Sequence, residues 1–256
     1  MILTAVWTVQ APVLAALSSH AGFETESLFY VPGSAVRGAA AGAYLQGEDA
    51  SAKDAAFRRL FLEGSVQFGD LRPLGCEVWP LSIRRCKDDP DRHATVDALA
   101  VAAQGGLPKA ECICGKKRGT ASWYAAPNGK GGYCEHRPGR QLRYHVKIDG
   151  RTRCARSREF FGMRTLSPGQ SLTQKITVSA DAVDDLNRLL PGGSELRVGR
   201  GRSRGHGRMV LERMIPAPTE DLAERIRRLN DNQLLRGDRI WFAVTLQSPS
   251  ILLDEW

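Results

Sequence analysis

The sequence predicts an α+β fold of the ferredoxin-like (RRM-type) class with a Cys-rich insertion and the start of a second such domain, and three observations predict these three features in turn. Strand-like and helix-like segments follow one another as β, α, β and again as β, α, β, the element order of that class. Between the two halves, a segment gathers glycine, basic residues and all but one of the cysteines, with little apolar periodicity. Residues 8–14 resemble residues 245–251, since both are strands that run into a proline-broken loop. The predicted domains are residues 1–83 with 159–236, an insertion over 84–158, and the start of a second ferredoxin-like module over 237–256.

The first half begins with an apolar, β-branched strand over residues 3–9, which Pro12 ends. This run lacks a basic start and is interrupted by polar residues, so we interpret it as a core strand and not as a signal peptide. Ser34 is predicted to cap the next helix, in which Gly38 and Gly42 allow close packing on a sheet. The remaining elements of this half are a helix over 55–61 and a strand over 64–71.

The second half is predicted to begin with a strand over 174–178 and an amphipathic helix over 181–190, which Pro191 stops. A hairpin rich in glycine and arginine follows. The chain then continues with a charged helix over 219–229 and a last strand over 239–246. These segments supply the second β, α, β series.

Composition bounds the class of protein and its partners. A chain of 256 residues, 42% hydrophobic and 25% charged, can bury one large core or two modest ones. The 36 Lys+Arg against 28 Asp+Glu give a net charge of +8, which favours nucleic acid or another polyanion as partner. No segment approaches the ~18 to 20 unbroken apolar residues of a membrane span, so we expect a cytoplasmic protein without a membrane partner. There the six cysteines are expected to be free thiols or metal ligands and not disulfides.

The most informative stretch is residues 196–211, where two short apolar runs flank four glycines, four arginines and a histidine. Glycine tolerates positive φ and lets a ligand approach the backbone, while guanidinium groups match phosphate oxygens. No Gly-Lys-Ser/Thr follows, which excludes a P-loop, and a strand follows where a dinucleotide fingerprint needs a helix. The alternative is a glycine-rich turn with solvated arginines. The candidate residues for binding a polyanion are these and the helix start: Gly33, Ser34, Arg37, Gly199, Arg200, Gly201, Arg202, Ser203, Arg204, Gly205, His206, Gly207 and Arg208.

The cysteine-rich insertion has the residues of a structural zinc site. Zinc takes four nitrogen or sulfur ligands near tetrahedral geometry, and a segment without a core gains stability from such a site. The first choice of ligands is Cys86, His93, Cys112 and Cys114, with Cys134 and His136 as substitutes. One residue separates Cys112 from Cys114, where zinc knuckles normally have two or more, so the set with Cys134 replacing one of them stays open. Cys76 and Cys154 are expected to be ordinary thiols. The alternative is a flexible loop with scattered thiols.

Several segments resemble the RAMP superfamily of CRISPR effector subunits. Residues 31–38, Val-Pro-Gly-Ser-Ala-Val-Arg-Gly, look like its helix start, and residues 199–207 look like its C-terminal glycine-rich loop. Residues 61–71 and 146–152 also resemble RAMP segments, in the same order along the chain. The resemblance therefore covers most of the sequence.

Within that superfamily the chain is most similar to the type III-D subunit that resembles the guide-capping, five-prime-handle-binding protein. The similarity lies in Trp79-Pro80-Leu81 before Cys86, in residues 93–97 before residues 112–115, and in the ending over 246–255. In that family the last segment opens a second ferredoxin-like domain, which this chain does not contain in full.

The resemblance implies a crRNA-binding structural subunit of a type III CRISPR effector ribonucleoprotein for antiviral defence, without catalytic activity. Its implied partners are guide crRNA, target RNA and other effector subunits. The alternative from another class is a RAMP endoribonuclease that processes or cleaves RNA, with His20 or His206 as general acid or base. A third is a zinc-stabilised scaffold that contacts only proteins.

Overall fold

The structure, a computed structural model, describes residues 1–15, 24–47, 50–90, 92–121, 124–127, 133–218, 227, 235–236 and 239–240. Its contacts divide the chain into two units. The first comprises Met1–Leu74 and Pro138–Ala217, and the second comprises Gly75–Arg137 and Pro218–Trp256.

The strands are β1 Ile2–Val9, β2 Glu24–Glu26, β3 Val66–Phe68, β4 Arg72–Pro73, β5 Glu77–Val78, β6 Ile83–Cys86, β7 Val96–Asp97, β8 Arg118–Thr120, β9 Tyr124–Pro127, β10 Tyr133–His136, β11 Arg140–Ile148, β12 Ala155–Leu166, β13 Ser171–Val178, β14 Glu195–Arg197, β15 Arg208–Pro216, β16 Leu235–Arg236 and β17 Arg239–Ile240. The α-helices are α1 Gly33–Tyr44, α2 Ala55–Phe61, α3 Ala98–Ala103 and α4 Val183–Leu189, and short 3-10 helices lie over Ala180–Ala182 and Arg202–Arg204.

The main sheet of the first unit has the order β14, β15, β1, β13, β3, with β4 also paired to β13. Every neighbouring pair is antiparallel. The predicted strands over 3–9 and 174–178 are confirmed as β1 and β13. Burial alternates along β13, where Leu172, Ile176 and Val178 are buried on one face, as expected for a strand with a single face on the core.

The core of the first unit lies between this sheet and helices α1, α2 and α4. Trp7 and Ile176 from the sheet join one buried cluster with Val36 of α1, Leu60 of α2 and Leu186 of α4. Burying each of these large side chains stabilises the fold by about 1.5–3 kcal/mol relative to leaving it exposed. The helices predicted over 55–61 and 181–190 are confirmed as α2 and as α4 with its preceding 3-10 turn.

Two expectations for α1 are wrong. Ser34 is exposed within the first turn and makes no capping hydrogen bond, because the helix begins one residue earlier at Gly33. The capping acceptor is Asp70, whose Oδ1 receives the Gly33 N–H at 2.8 Å. Gly38 and Gly42 do not pack on the sheet, since a Cβ at either position would meet nothing within 4 Å.

A second, three-stranded sheet of the first unit contains the long antiparallel hairpin β11–β12, with β2 parallel to β12. The predicted insertion over 84–158 included most of this hairpin, whereas the contacts group it with the first unit. The reason is main-chain bonding: the N–H of Val13 donates to Leu166 O at 3.1 Å, and that of Ser27 donates to Arg164 O at 2.7 Å.

The second unit contains two further three-stranded sheets, β10-β9-β5 and β7-β6-β8. Its buried apolar cluster comprises Trp79, Ala121 and Ala125, with Ile83 packed against it. The guanidinium of Arg85 is buried and lies 3.0 Å from the carboxylate of Glu135.

The predicted second module over 237–256 and the predicted helix over 219–229 lie almost entirely outside the described residues. What is described there is Arg227 and the two-residue strands β16 and β17, which pair with each other. Within the described part of the chain, no helix combines the length and the apolar character needed to span a membrane.

Candidate anion-binding loop and metal centre

The loop between β14 and β15, residues 198–207, is called the Gly/Arg loop below. Its four glycines, Gly199, Gly201, Gly205 and Gly207, have φ values of 79°, 75°, 81° and 85°. Only glycine adopts this left-handed region without strain, so the predicted need for positive φ is confirmed.

The glycines also let the loop approach the protein's own backbone. A Cβ at Gly199 would overlap the carbonyl oxygen of Leu14, and one at Gly207 would overlap that of Val198. At Gly205 a Cβ would meet nothing within 4 Å. The sequence suggested that these glycines let a ligand approach the backbone. At Gly199 and Gly207, carbonyl oxygens of the protein itself occupy that space.

Main-chain hydrogen bonds fix the loop to the segment that follows β1. The N–H of Arg200 donates to Leu14 O at 2.9 Å, and the N–H of Gly207 donates to Pro12 O at 2.8 Å. Within the loop, the His206 N–H donates to Gly201 O at 3.2 Å. The arginines therefore project from a backbone that is already ordered.

Arg200, Arg202 and Arg204 are exposed, and none of the ion pairs in the described part of the chain involves them. Arg208 is held 3.9 Å from Glu195, beyond good hydrogen-bond distance. Three guanidinium groups thus stand unpaired on one loop. Such groups can bind phosphate oxygens through two parallel N–H donors each.

A groove of about 510 Å³ lies beside the loop. Arg197, Arg202 and Ser203 line one side, and the small residues Ala39 and Gly42 of α1 line the other. The structure thus brings Arg202 and Ser203 of the Gly/Arg loop beside the later turns of α1, but none of the predicted residues Gly33, Ser34 and Arg37 lines the groove. The contact differs from the predicted one, because the N–H of Gly33 at the helix start is already bonded to Asp70.

The other predicted residues of α1 and the loop divide into exposed and buried groups. Arg37 and Ser34 are exposed, whereas Gly33 is buried, and a Cβ there would overlap the carbonyl oxygen of Phe68. His206 is 6% exposed, and its Nδ1 finds no hydrogen-bond partner among the described residues.

The environment of His206 favours the neutral imidazole. Burial lowers its pKa below the ordinary value, and the charges of His145, Arg143 and Arg204 lower it further. The ring of His145 lies 6.4 Å from that of His206 and stacks on Phe161. His206 is therefore buried within the loop. His20 lies outside the described residues.

The hairpin β11–β12 carries an exposed aromatic pair that the sequence reasoning missed. Tyr144 and Phe160 are 55% and 48% exposed, and their rings stack with centroids 5.0 Å apart. Val146, opposite Phe160 in the ladder, and Ile148 are exposed as well. The signal was the alternation of apolar residues along 144–148, because every second side chain of a strand shares one face. Exposed rings of this kind are platforms on which nucleobases stack.

In the second unit, the structure brings together Cys86, His93, Cys112 and Cys114, the first-choice ligand set, with their ligand atoms all within 4.8 Å of one another. Cys86 ends β6. His93 follows in a turn, where its backbone N–H donates to Asp89 O. Cys112 and Cys114 lie in a tight turn that the N–H of Cys112 closes on Lys116 O at 2.8 Å.

The donor set fits a tetrahedral zinc ion. Zinc–sulfur bonds of about 2.3 Å place two sulfur ligands about 3.8 Å apart in a tetrahedron, and Cys86 Sγ lies 3.6 Å from Cys114 Sγ. The Nδ1 of His93 is buried without a hydrogen-bond partner among the described residues. The pKa of the Cys86 thiol is lowered to about 6, because the backbone N–H of Asp89 and the His93 side chain bond to its sulfur.

Cys134, the alternative ligand, is not a member of this cluster. Cys134 lies on β10, in the other sheet of this unit, where its Sγ donates to Ala126 O at 3.5 Å. His136 lies on the same strand. Cys76 is buried and Cys154 is exposed, and neither forms a disulfide.

No protein-family model matches the chain, and no curated protein matches it. Among solved structures, a chain of the type III-B Cmr-beta complex bound to cognate target RNA is 10% identical with a TM-score of 0.51, over 83% of this chain and 96% of that one. A chain of the same complex in the apo state is 9% identical with a TM-score of 0.50, over 83% and 96%. A third, from the complex with cognate target RNA and AMPPnP, is 14% identical with a TM-score of 0.44 over 85% of this chain, which spans 64% of that longer one. The protein shares the mixed α/β fold of the first two chains.

Proposed function

We propose that the protein is a crRNA-binding, non-catalytic subunit of a type III CRISPR effector ribonucleoprotein. The observation that carries the proposal is the Gly/Arg loop, where Arg200, Arg202 and Arg204 are exposed and form no ion pair within the described residues, and where Arg202 lines a groove. An ordered loop with three free guanidinium groups is suited to a polyanion, and it binds with little loss of backbone entropy.

The fold supports the class of protein. The main sheet contains the strands of a β, α, β, β, α, β series, in which β1, β3, β13 and β15 are the first to the fourth strand. They lie side by side in the order β15, β1, β13, β3. We read it as a ferredoxin-like RAMP domain. The chains that share the fold belong to a type III-B complex that is solved with target RNA. The type III-D assignment, the guide-capping role and the second module over 237–256 rest on sequence resemblance.

The proposed mechanism is electrostatic and shape-based. The sugar-phosphate backbone of the guide RNA lies along the groove, and its phosphates bind the guanidinium groups of the loop. Guide bases that are turned away from their neighbours stack on Tyr144 and Phe160. The main-chain contacts to Leu14 and Pro12 keep the arginines in place. No observation favours cleavage, since His206 is buried.

We further propose that the second unit holds a structural zinc ion through Cys86, His93, Cys112 and Cys114. Bound zinc would supply four ligand bonds that fix the β6 end and the 112–116 turn, where the unit's own apolar core is small. Cys86 and Cys112 are buried and Cys114 is exposed, so the site lies at the edge of the unit.

The test is a salt titration of RNA binding. Arg200→Ala, Arg202→Ala and Arg204→Ala are combined, and affinity for a labelled single-stranded RNA is measured at several salt concentrations. Each lost phosphate contact lowers the salt slope by about 0.7, so the triple variant should lose about 2 from the slope and bind more weakly. A control removes two exposed basic residues elsewhere, Lys53 before α2 and Arg58 within it, where Arg58 pairs with Glu63, and should change both quantities little.

Wild-type affinity and slope in the triple variant would overturn the proposed role of the loop. Competition between a handle-containing guide and an RNA of equal length without the handle tests the capping role separately. Incubation with labelled repeat RNA, with and without EDTA, tests for a defined cleavage product, which would establish an endoribonuclease instead.

A further inference from the structure

The second unit exposes two large aliphatic side chains beside a groove. Leu107 is 92% exposed and Ile113 is 90% exposed. Both line a groove of about 710 Å³, together with the apolar residues Val96, Val101 and Ala110. Single exposed aliphatic residues are common, but here two of them continue an apolar lining.

The two exposed side chains are held by ordered backbone. Ile113 stands between two members of the cysteine cluster, at the tip of a turn that the Glu111–Lys117 bridge closes. The segment that leads to Leu107 leaves α3 through a hydrogen bond from the Gly106 N–H to Val101 O at 2.9 Å. A partner that covers such residues therefore loses little conformational entropy of this chain on binding.

The charge around the groove is mostly positive. Lys109 and Arg118 line it, Glu111 is the acidic residue of the lining, and Lys116 and Lys117 follow at its turn. The Arg118 guanidinium donates to Ala94 O at 2.7 Å and to Glu111 O at 3.3 Å. Its charge therefore remains at the rim while its donors are committed to carbonyl groups.

We propose that this groove docks a segment of a partner protein that carries aliphatic or aromatic side chains flanked by aspartate or glutamate. The apolar lining accepts the large side chains, and the lysines attract the carboxylates, which gives specificity and speeds association. A nucleic acid fits less well, since the exposed lining residues are aliphatic and offer no ring for a base. The proposal does not depend on RNA binding by the first unit.

The probe is a phage-displayed library of random peptides, selected on the full-length protein with zinc supplied. Selected peptides should be enriched in large apolar and acidic residues. One of them, labelled with fluorescein, should bind the protein saturably in an anisotropy titration. Combining Leu107→Ser with Ile113→Ser should weaken that binding about tenfold or more, because the two side chains are the most exposed apolar groups of the groove and a few residues carry most of an interface's affinity. Lys109→Glu should also weaken it.

The matched control is Leu81→Ser, which removes another aliphatic side chain of this unit, 83% exposed but not part of the groove lining. It should leave peptide affinity unchanged. Zinc content and the thermal midpoint of each variant show that the unit remains folded.

Three results would overturn the proposal. One is a selection without enrichment, or with enrichment in basic peptides. Another is equal binding of the selected peptide to the Leu107→Ser, Ile113→Ser variant. The third is a loss of affinity for labelled single-stranded RNA on the same substitutions, which would place nucleic acid in the groove.

Discussion

Gly205 and Gly207 provide a matched pair that tests how the Gly/Arg loop is built. Both have left-handed φ, 81° and 85°, so alanine costs about 1–2 kcal/mol at either position for the backbone conformation alone. They differ in space. A Cβ at Gly205 meets nothing within 4 Å, whereas one at Gly207 overlaps the carbonyl oxygen of Val198, well inside the 3.0 Å that real Cβ contacts keep.

Relieving that overlap requires the backbone around Gly207 to move. The shift endangers two hydrogen bonds, from the Gly207 N–H to Pro12 O at 2.8 Å and from the Val198 N–H to Gly207 O at 2.9 Å. Each contributes about 0.5–1.5 kcal/mol. Gly207→Ala should therefore destabilise the protein by about 2–5 kcal/mol in total, against about 1–2 kcal/mol for Gly205→Ala.

The assay compares thermal midpoints by circular dichroism and RNA affinity by anisotropy. For a chain of this size each kcal/mol lowers the midpoint by about 2–4 °C, so the two variants should differ clearly. Gly207→Ala should also weaken RNA binding, because the arginines lose their fixed backbone, while Gly205→Ala should retain most of it. Equal midpoints and equal affinities for the two variants would refute the view that the loop is held by close contact with its own strands.

Three further outcomes are expected. Cys114→Ser should abolish zinc retention after dialysis while Cys134→Ser preserves it, as zinc analysis of the purified proteins would show; equal zinc contents would contradict the ligand set. Asp70→Ala should destabilise the protein by about 1 kcal/mol because α1 loses its cap, whereas Ser34→Ala should change the thermal midpoint little. Burial lowers the pKa of His206 in the folded state, so the neutral form is favoured there. The contribution of His206 to stability is therefore full above about pH 6.5 and falls as the pH drops. A His206→Gln variant should lose less stability than the wild type between about pH 7 and about pH 5, measured as thermal midpoint, and parallel pH profiles would contradict this.

The periodic elements of the fold were predictable because the spacing of apolar residues within each element shows which of its faces is buried. The apolar runs of β1 and β13 and the helical spacing in α2 place core residues correctly without knowledge of the rest of the chain. Long-range partners were not predictable. The cap of α1 comes from Asp70, far along the chain from Gly33, and no local pattern distinguishes it from Ser34.

The candidate sites show the same limit. Residue chemistry identified Cys86, His93, Cys112 and Cys114, because few residue types bind zinc and these are close in sequence. It could not decide against Cys134, since that decision depends on which sheet β10 joins. Similarly, the glycines of α1 indicated close packing, but sequence does not say whether the small face of a helix meets a sheet or, as here, an open groove.

The glycines and the arginines of the Gly/Arg loop meet two different requirements. At Gly199 and Gly207, the absence of a side chain is needed because the carbonyl oxygens of Leu14 and Val198 occupy the space of a Cβ. At Arg200, Arg202 and Arg204, no ion pair in the described structure neutralises the charge. Exposed like charges on one ordered loop repel each other, so they lower stability unless a polyanion neutralises them. The glycines therefore account for the shape of the loop, and for its arginines we propose an anionic ligand.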